Sequence, residues 1–200
     1  MSLFNLFGPT QSGASRQRWV TLAWLFLLTA INYLDRTNMA VAAPALREEL
    51  NLDPFMLGLL FSAFSWSYGL LQIPGGWFLD RIGARNAYTA SLFFWSLFTV
   101  FMGWGYSFVV LFAIRLLVGM AEAPAFPSNS RIASMWFPTH ERGTATAVYT
   151  SGEFVGLAFL TPVLAYILHT YGWREIFFFT GAIGIVVAFL FHHFYRDPKD

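Results

Sequence analysis

Six apolar stretches, each about as long as a helix needs to cross a bilayer, take up most of this chain's 200 residues. A hydrocarbon core of about 30 Å takes about 20 helical residues to span. The stretches lie near 19–43, 55–79, 86–106, 108–130, 144–169 and 174–195. Their apolar runs are continuous rather than alternating, the pattern of spanning helices and not of barrel strands. Only 12% of the residues are charged, against about 25% in soluble domains. A net charge of +1 excludes a strong nucleic-acid footprint. The expected fold is therefore an all-α integral membrane protein of six transmembrane helices.

Basic residues set the orientation, because they concentrate in cytoplasmic loops. With the N-terminus inside, Arg16, Arg18, Arg81, Arg85, Arg131, Arg142, Arg196 and Lys199 fall on the cytoplasmic side. Arg47 and Arg174 fall outside. Residues 1–18 read as a cytoplasmic tail, 19–195 as the bundle, and 196–200 as the start of a cytoplasmic linker.

Two adjacent ionised residues, Asp35 and Arg36, interrupt the first stretch. A charge at mid-membrane depth costs about 2.5–3.5 kcal/mol even on the lenient insertion scale. An isolated anchor helix gains nothing from carrying one, so the pair points to a cavity lined by protein or filled with water.

The chain resembles itself at a shift of 89 residues. Gly83-Ala-Arg-Asn-Ala-Tyr88 echoes Gly172-Trp-Arg-Glu-Ile-Phe177, Pro74 echoes Pro162, and Asp35/Arg36 maps close to Glu122. Three spans per repeat is an odd number, so the two repeats have opposite topology, the building unit of many secondary transporters. The first helix of each repeat carries the ionised residues Asp35, Arg36, Arg115 and Glu122 and is expected to line the cavity. The third helices carry none mid-span and are expected to face lipid.

Tyr33 and Arg36 share a helix face, whereas Asp35 is turned about 100° from Arg36. Arg115 and Glu122 are on one face but about 10.5 Å apart along the axis. That leaves Glu122 free to meet helix 1 or a proton. Ser62, Ser65, Tyr68 and Gln72 form a polar stripe on helix 2; Thr146, Thr150 and Glu153 form one on helix 5, beside Gly152-x-x-x-Gly156. The GxxxG allows close helix contact. Asp35, Glu122 and Glu153 against Arg36 and Arg115 sum to −1 when all are ionised. A dry site favours neutrality, so an anion docking on an Arg recruits a proton. The expected activity is anion–proton symport, driven by a proton gradient with no cofactor and no metal.

The loop Gly76-Trp-Phe-Leu-Asp80-Arg81-Ile-Gly83-Ala-Arg85-Asn86 has the spacing G-x-x-x-D-R-x-G-x-R. It resembles the signature loop of the major facilitator superfamily, with Asn86 where the family usually has a second basic residue. Arg115-Leu-Leu-Val-Gly119 resembles that family's helix 4 motif. Within the superfamily the chain resembles the anion–cation symporters, including the bacterial galactonate, glucarate and hexuronate carriers. The matching stretches are Asn32-Tyr-Leu-Asp-Arg36, Phe61-Ser-Ala-Phe-Ser65, Gln72-Ile-Pro-Gly-Gly-Trp77, Glu122-Ala-Pro-Ala-Phe-Pro127 and the run from Tyr149 to Pro162. The resemblance implies that Asp35 and Glu122 are proton-linked. It also implies that Tyr33, Arg36, Tyr68 and the residue at 153 contact a sugar acid, and that Arg115 communicates with the acids. Position 153 is Glu here where the galactonate carriers have Gln. The family fold has two six-helix bundles, so the chain is expected to be an N-terminal half whose partner is a C-terminal half. A bacterial plasma-membrane location follows from the same resemblance.

Two other readings compete. Ser151 and His169 supply residue types for an intramembrane serine protease, but they are 18 residues apart, about 27 Å along a straight helix. A transport-inactive membrane-interaction protein is the third.

Overall fold

A computed structural model describes residues 12–198, and the described chain is helical throughout its ordered elements. The helices are α1 (Ser12–Glu49), α2 (Pro54–Ile82), α3 (Ala84–Gly103), α4 (Phe108–Glu122), α5 (Ala125–Trp136), α6 (Arg142–Val155), α7 (Thr161–Tyr171) and α8 (Trp173–Phe194). A π-helical turn, Gly156–Leu160, joins α6 to α7. Six rods result, because α4–α5 and α6–α7 each act as one span, Phe108–Trp136 and Arg142–Tyr171. Of the six, α2, α4–α5, α6–α7 and α8 are long and apolar enough to cross a membrane by length and composition. The other two rods, α1 and α3, are diluted by Asn32, Asp35, Arg36 and Asn38 and by Arg85, Asn86 and several Ser and Thr. Helix α1 starts at Ser12, ahead of the expected span start at Trp19, so part of the expected tail is helical. Residues 1–11 of that tail and residues 199–200 of the expected linker lie outside the described residues.

Local chemistry places the helix ends. Asp53 caps α2 by accepting from the Met56 amide at 2.7 Å, with Pro54 in the first turn, where its missing N–H costs nothing. Ser107 caps α4 through the Val110 amide. The α4–α5 rod breaks at Ala123-Pro124, since proline supplies no amide to the preceding turn. The π turn sits just before Pro162 for a related reason: the Ala158 carbonyl loses its usual donor four residues on.

The internal repeat is visible in the backbone. Gly83, between α2 and α3, has φ 81° and ψ 159°; Gly172, between α7 and α8, has φ 99° and ψ 172°. These are the only positive-φ glycines among the described residues, and they stand 89 apart. A side chain at either position would be strained, because that region of φ/ψ space belongs to glycine.

The packing obeys the same symmetry. Helix α1 packs on α6 and the π turn, α4 packs on α2, and α3 packs on α8. So the first helix of each repeat lies on the second helix of the other, and the two third helices meet. Gly119 on α4 abuts Ser67 and the Phe64 carbonyl of α2, and Gly156 abuts the Ala30 carbonyl of α1. Shifting by 89 turns one contact into the other, since Ala30 maps to Gly119 and Ser67 to Gly156. Gly152 also rests on the Phe26 carbonyl, so the GxxxG of helix 5 does make a close helix contact.

The expectation that the third helices simply face lipid needs correction. Phe94, Phe101, Val186 and Phe189 do point outward. The opposite faces of α3 and α8 are buried, however, and carry Trp95, Ser96, Thr99 and Thr180. Absence of charge on a helix does not exclude polar partners for a charge on its neighbour.

Candidate functional site

Tyr33 and Arg36, one turn apart on α1, meet α2 and α4 at an open face of the bundle. The Arg36 guanidinium lies over the rings of Tyr33, Tyr68 and Phe64, with centroid distances of 5.0, 4.7 and 5.3 Å. Stacking leaves its N–H edge free for an acceptor, and Glu122 takes that place. Arg36 Nε donates to Glu122 Oε1 at 2.8 Å and Nη2 lies 2.6 Å from the same oxygen. The pair spans α1 and α4, as the isolation of Glu122 from Arg115 leads one to expect.

The two partners sit at different depths. The Glu122 side chain is 1% exposed and that of Arg36 is 28% exposed. The second carboxylate oxygen of Glu122, Oε2, is buried and has no hydrogen-bond partner among the described residues. Glu153 on α6 faces Tyr33 from the far side. Tyr33, Arg36, Tyr68, Glu122 and Glu153 therefore converge. A small cavity beside them is lined by Thr29, Asn32, Tyr33, Tyr68, Tyr88 and Asn129 together with Ala125 and Phe126.

Arg115 lies deeper, 6% exposed. Its guanidinium sits over Phe64 at 4.9 Å, and its Nε donates to the Leu60 carbonyl at 3.4 Å. It shares the Phe64 ring with Arg36.

Asp35 does not join this group. Its carboxylate points between α3 and α8, where Oδ2 accepts from Trp95 Nε1 at 2.8 Å and Oδ1 accepts from Asn38 Nδ2 at 3.2 Å. Asn38 is itself held by Thr180 Oγ1 at 2.6 Å. The 100° turn between Asp35 and Arg36 was enough to separate them. The residues Trp95, Asn38 and Thr180 were missed by sequence reasoning. Only the proximity of Asn38 to Asp35 in one helix turn was available as a signal.

In the loop motif, Arg81 lies over Trp77 at 3.8 Å, and Arg85 Nε donates to the His192 carbonyl at 3.1 Å at the end of α8. Gly83 makes the turn between α2 and α3. Gly76 has open space around it, and Asp80 is exposed. Ser151 donates to the Val148 carbonyl at 2.6 Å on α6, while His169 lies in the last turn of α7. The protease types are thus spread along one rod.

The family model of the Major Facilitator Superfamily matches residues 25–200. The "D-galactonate transporter" of Escherichia coli O6:H1 (strain CFT073) is 46% identical over 184 residues, covering 92% of this chain and 43% of that protein. The "Probable galactarate/D-glucarate transporter GudP" of Escherichia coli (strain K12) is 39% identical over 204 residues, covering 99% of this chain and 45% of that protein. Among solved structures, a bacterial homologue of the human lysosomal transporter Spinster, in an inward-facing and unoccupied conformation, superposes with a TM-score of 0.78. It is 28% identical, with 91% of this chain and 44% of that chain covered. The chain spans somewhat under half the length of the relatives it matches.

Proposed function

Because this chain belongs to the Major Facilitator Superfamily, a family of transporters and not of enzymes, we propose that it forms the N-terminal six-helix half of a proton-coupled organic-anion symporter. The proposed substrate is a sugar acid of the galactonate or glucarate type, the class named for its relatives. The observation that carries this reading is the Arg36–Glu122 pair at the open face. Arg36 is occupied by an internal carboxylate. A proton on Glu122 neutralises that carboxylate and frees the guanidinium for the carboxylate of the substrate. Binding of the anion and uptake of the proton are then one exchange, in which the charge of the site is conserved. Tyr33, Tyr68 and Glu153 offer hydroxyl and carboxylate partners for the sugar hydroxyls. Asp35 is a second proton-linked acid, and Arg115 adjusts the field on Glu122. The other half of the cavity comes from a C-terminal six-helix bundle. The N-terminus is cytoplasmic and the membrane is the bacterial plasma membrane.

The test is uptake of labelled sugar acids by the complete gene product in vesicles. An inward acid gradient should accelerate uptake, a protonophore should abolish the acceleration, and Asp35→Asn and Glu122→Gln should each lose the response. Uptake indifferent to the gradient and to both substitutions would sink the proposal.

A further inference from the structure

Asp35 and Arg36 are neighbours in sequence but serve different surroundings. Arg36 pairs with Glu122 at the open face. Asp35, 5% exposed, has no ion-pair partner among the described residues. Uncharged donors hold it instead. Trp95 is fully buried and gives its indole N–H to Oδ2; Asn38 gives its amide to Oδ1. Thr180 of α8 fixes Asn38, and its own hydroxyl is fixed on the Ile176 carbonyl at 2.9 Å. An indole is a donor only, so Trp95 favours the carboxylate with its full charge over the neutral acid. Charge reaches Asp35 from Glu122 and Arg115 on α4, while Arg36 is turned toward Glu122. Helices α3 and α8 present only Trp95 and Thr180, neither of which titrates.

We propose that Trp95, assisted by Asn38 and Thr180, is the positioning residue that sets the proton affinity of Asp35, and with it the pH range of transport. The inference rests on the reading of Asp35 as a proton-linked acid. It assigns to the third helices of the two repeats a part in coupling, although they carry no ionised side chain at this depth. The polar side of α3 and α8 then has a reason beyond helix packing.

The experiment uses the complete gene product and two readouts, the pH profile of uptake and the infrared carbonyl stretch of protonated Asp35, assigned by its loss in Asp35→Asn. Trp95→Phe keeps the aromatic bulk and removes the donor. A hydrogen bond to a charged group corresponds to about one to two pH units. Both the infrared midpoint and the uptake profile should move to higher pH by about that much. Thr180→Val, which leaves the tryptophan in place, should move both the same way by less, and Thr180→Ser should leave them where they were. This second pair decides the matter if Trp95→Phe does not fold. An unmoved midpoint in Trp95→Phe, or in Thr180→Val, overturns the inference. If Asp35→Asn keeps gradient-driven uptake, the role of Asp35 fails first, whatever the tryptophan does.

Discussion

Removing Arg36 would strand Glu122 as an unpaired buried acid. Breaking a buried ion pair at one end costs about 3–5 kcal/mol, more than the pair itself contributes. Arg36→Ala is therefore expected to lose uptake and also to lower the thermal midpoint in detergent. Adding Glu122→Gln to it should recover most of the midpoint and none of the uptake. A double variant as unstable as the single one would show that the arginine's stacking on Tyr33 and Tyr68, not its charge, is what matters. At this scale the sequence was informative wherever a residue stood out by charge. The separation of Asp35 from Arg36 follows from the 100° per residue of a helix, and the distance of Glu122 from Arg115 left it open to helix 1 or a proton. Trp95 and Thr180 carried no such mark, since an indole or a hydroxyl in an apolar run reads as packing. They became visible only when 60 residues of chain brought Trp95 to Asp35 and 142 brought Thr180 to Asn38.

Elements are held to one another by small residues and by a clasp at the loop end. Gly156 meets the α1 backbone at Ala30, so Gly156→Val should cost about 1–3 kcal/mol through overpacking. Gly58→Ala, where a Cβ meets nothing, is the control. Glu49, at the end of α1, accepts from Trp173 Nε1 at 2.7 Å and from Arg174 Nη1 at 2.6 Å at the start of α8. These bonds hold its carboxyl below the ordinary carboxylate value. A group depressed in the folded state stabilises above its unfolded pKa and loses that contribution as pH falls through the folded one. The clasp should thus weaken on acidification below about pH 4.3, and Glu49→Gln should remove that part of the acid dependence of the thermal midpoint. Gly83 and Gly172 were legible as a repeat because glycine is nearly obligatory at their φ. The π turn was not, because Pro162 alone does not say whether a helix will kink, break or widen.

Across the whole molecule, polar and apolar exposed stripes lie on different helices. Ser65 on α2 and Thr146 on α6 are exposed on the polar stripes, whereas Phe94 on α3 and Val186 on α8 are exposed among apolar neighbours. These 200 residues contain no cysteine, and with any cysteine elsewhere in the gene product replaced by serine a direct check is open. A single cysteine at Ser65 or Thr146 should react with a membrane-impermeant maleimide in at least one conformation of the complete gene product, and one at Phe94 or Val186 should not. Equal labelling at all four would show that the stripes do not line water.

The Arg36–Glu122 pair has a consequence at this same scale. On the proposed reading, Glu122 is in effect a surrogate ligand built into the chain, in the place of a carboxylate from outside. A carrier that holds its own surrogate presents nearly the same charge to the membrane field whether empty or loaded. Each elementary charge moved across 100 mV is worth about 2.3 kcal/mol, and a site that returns with its arginine already neutralised avoids that load on the way back.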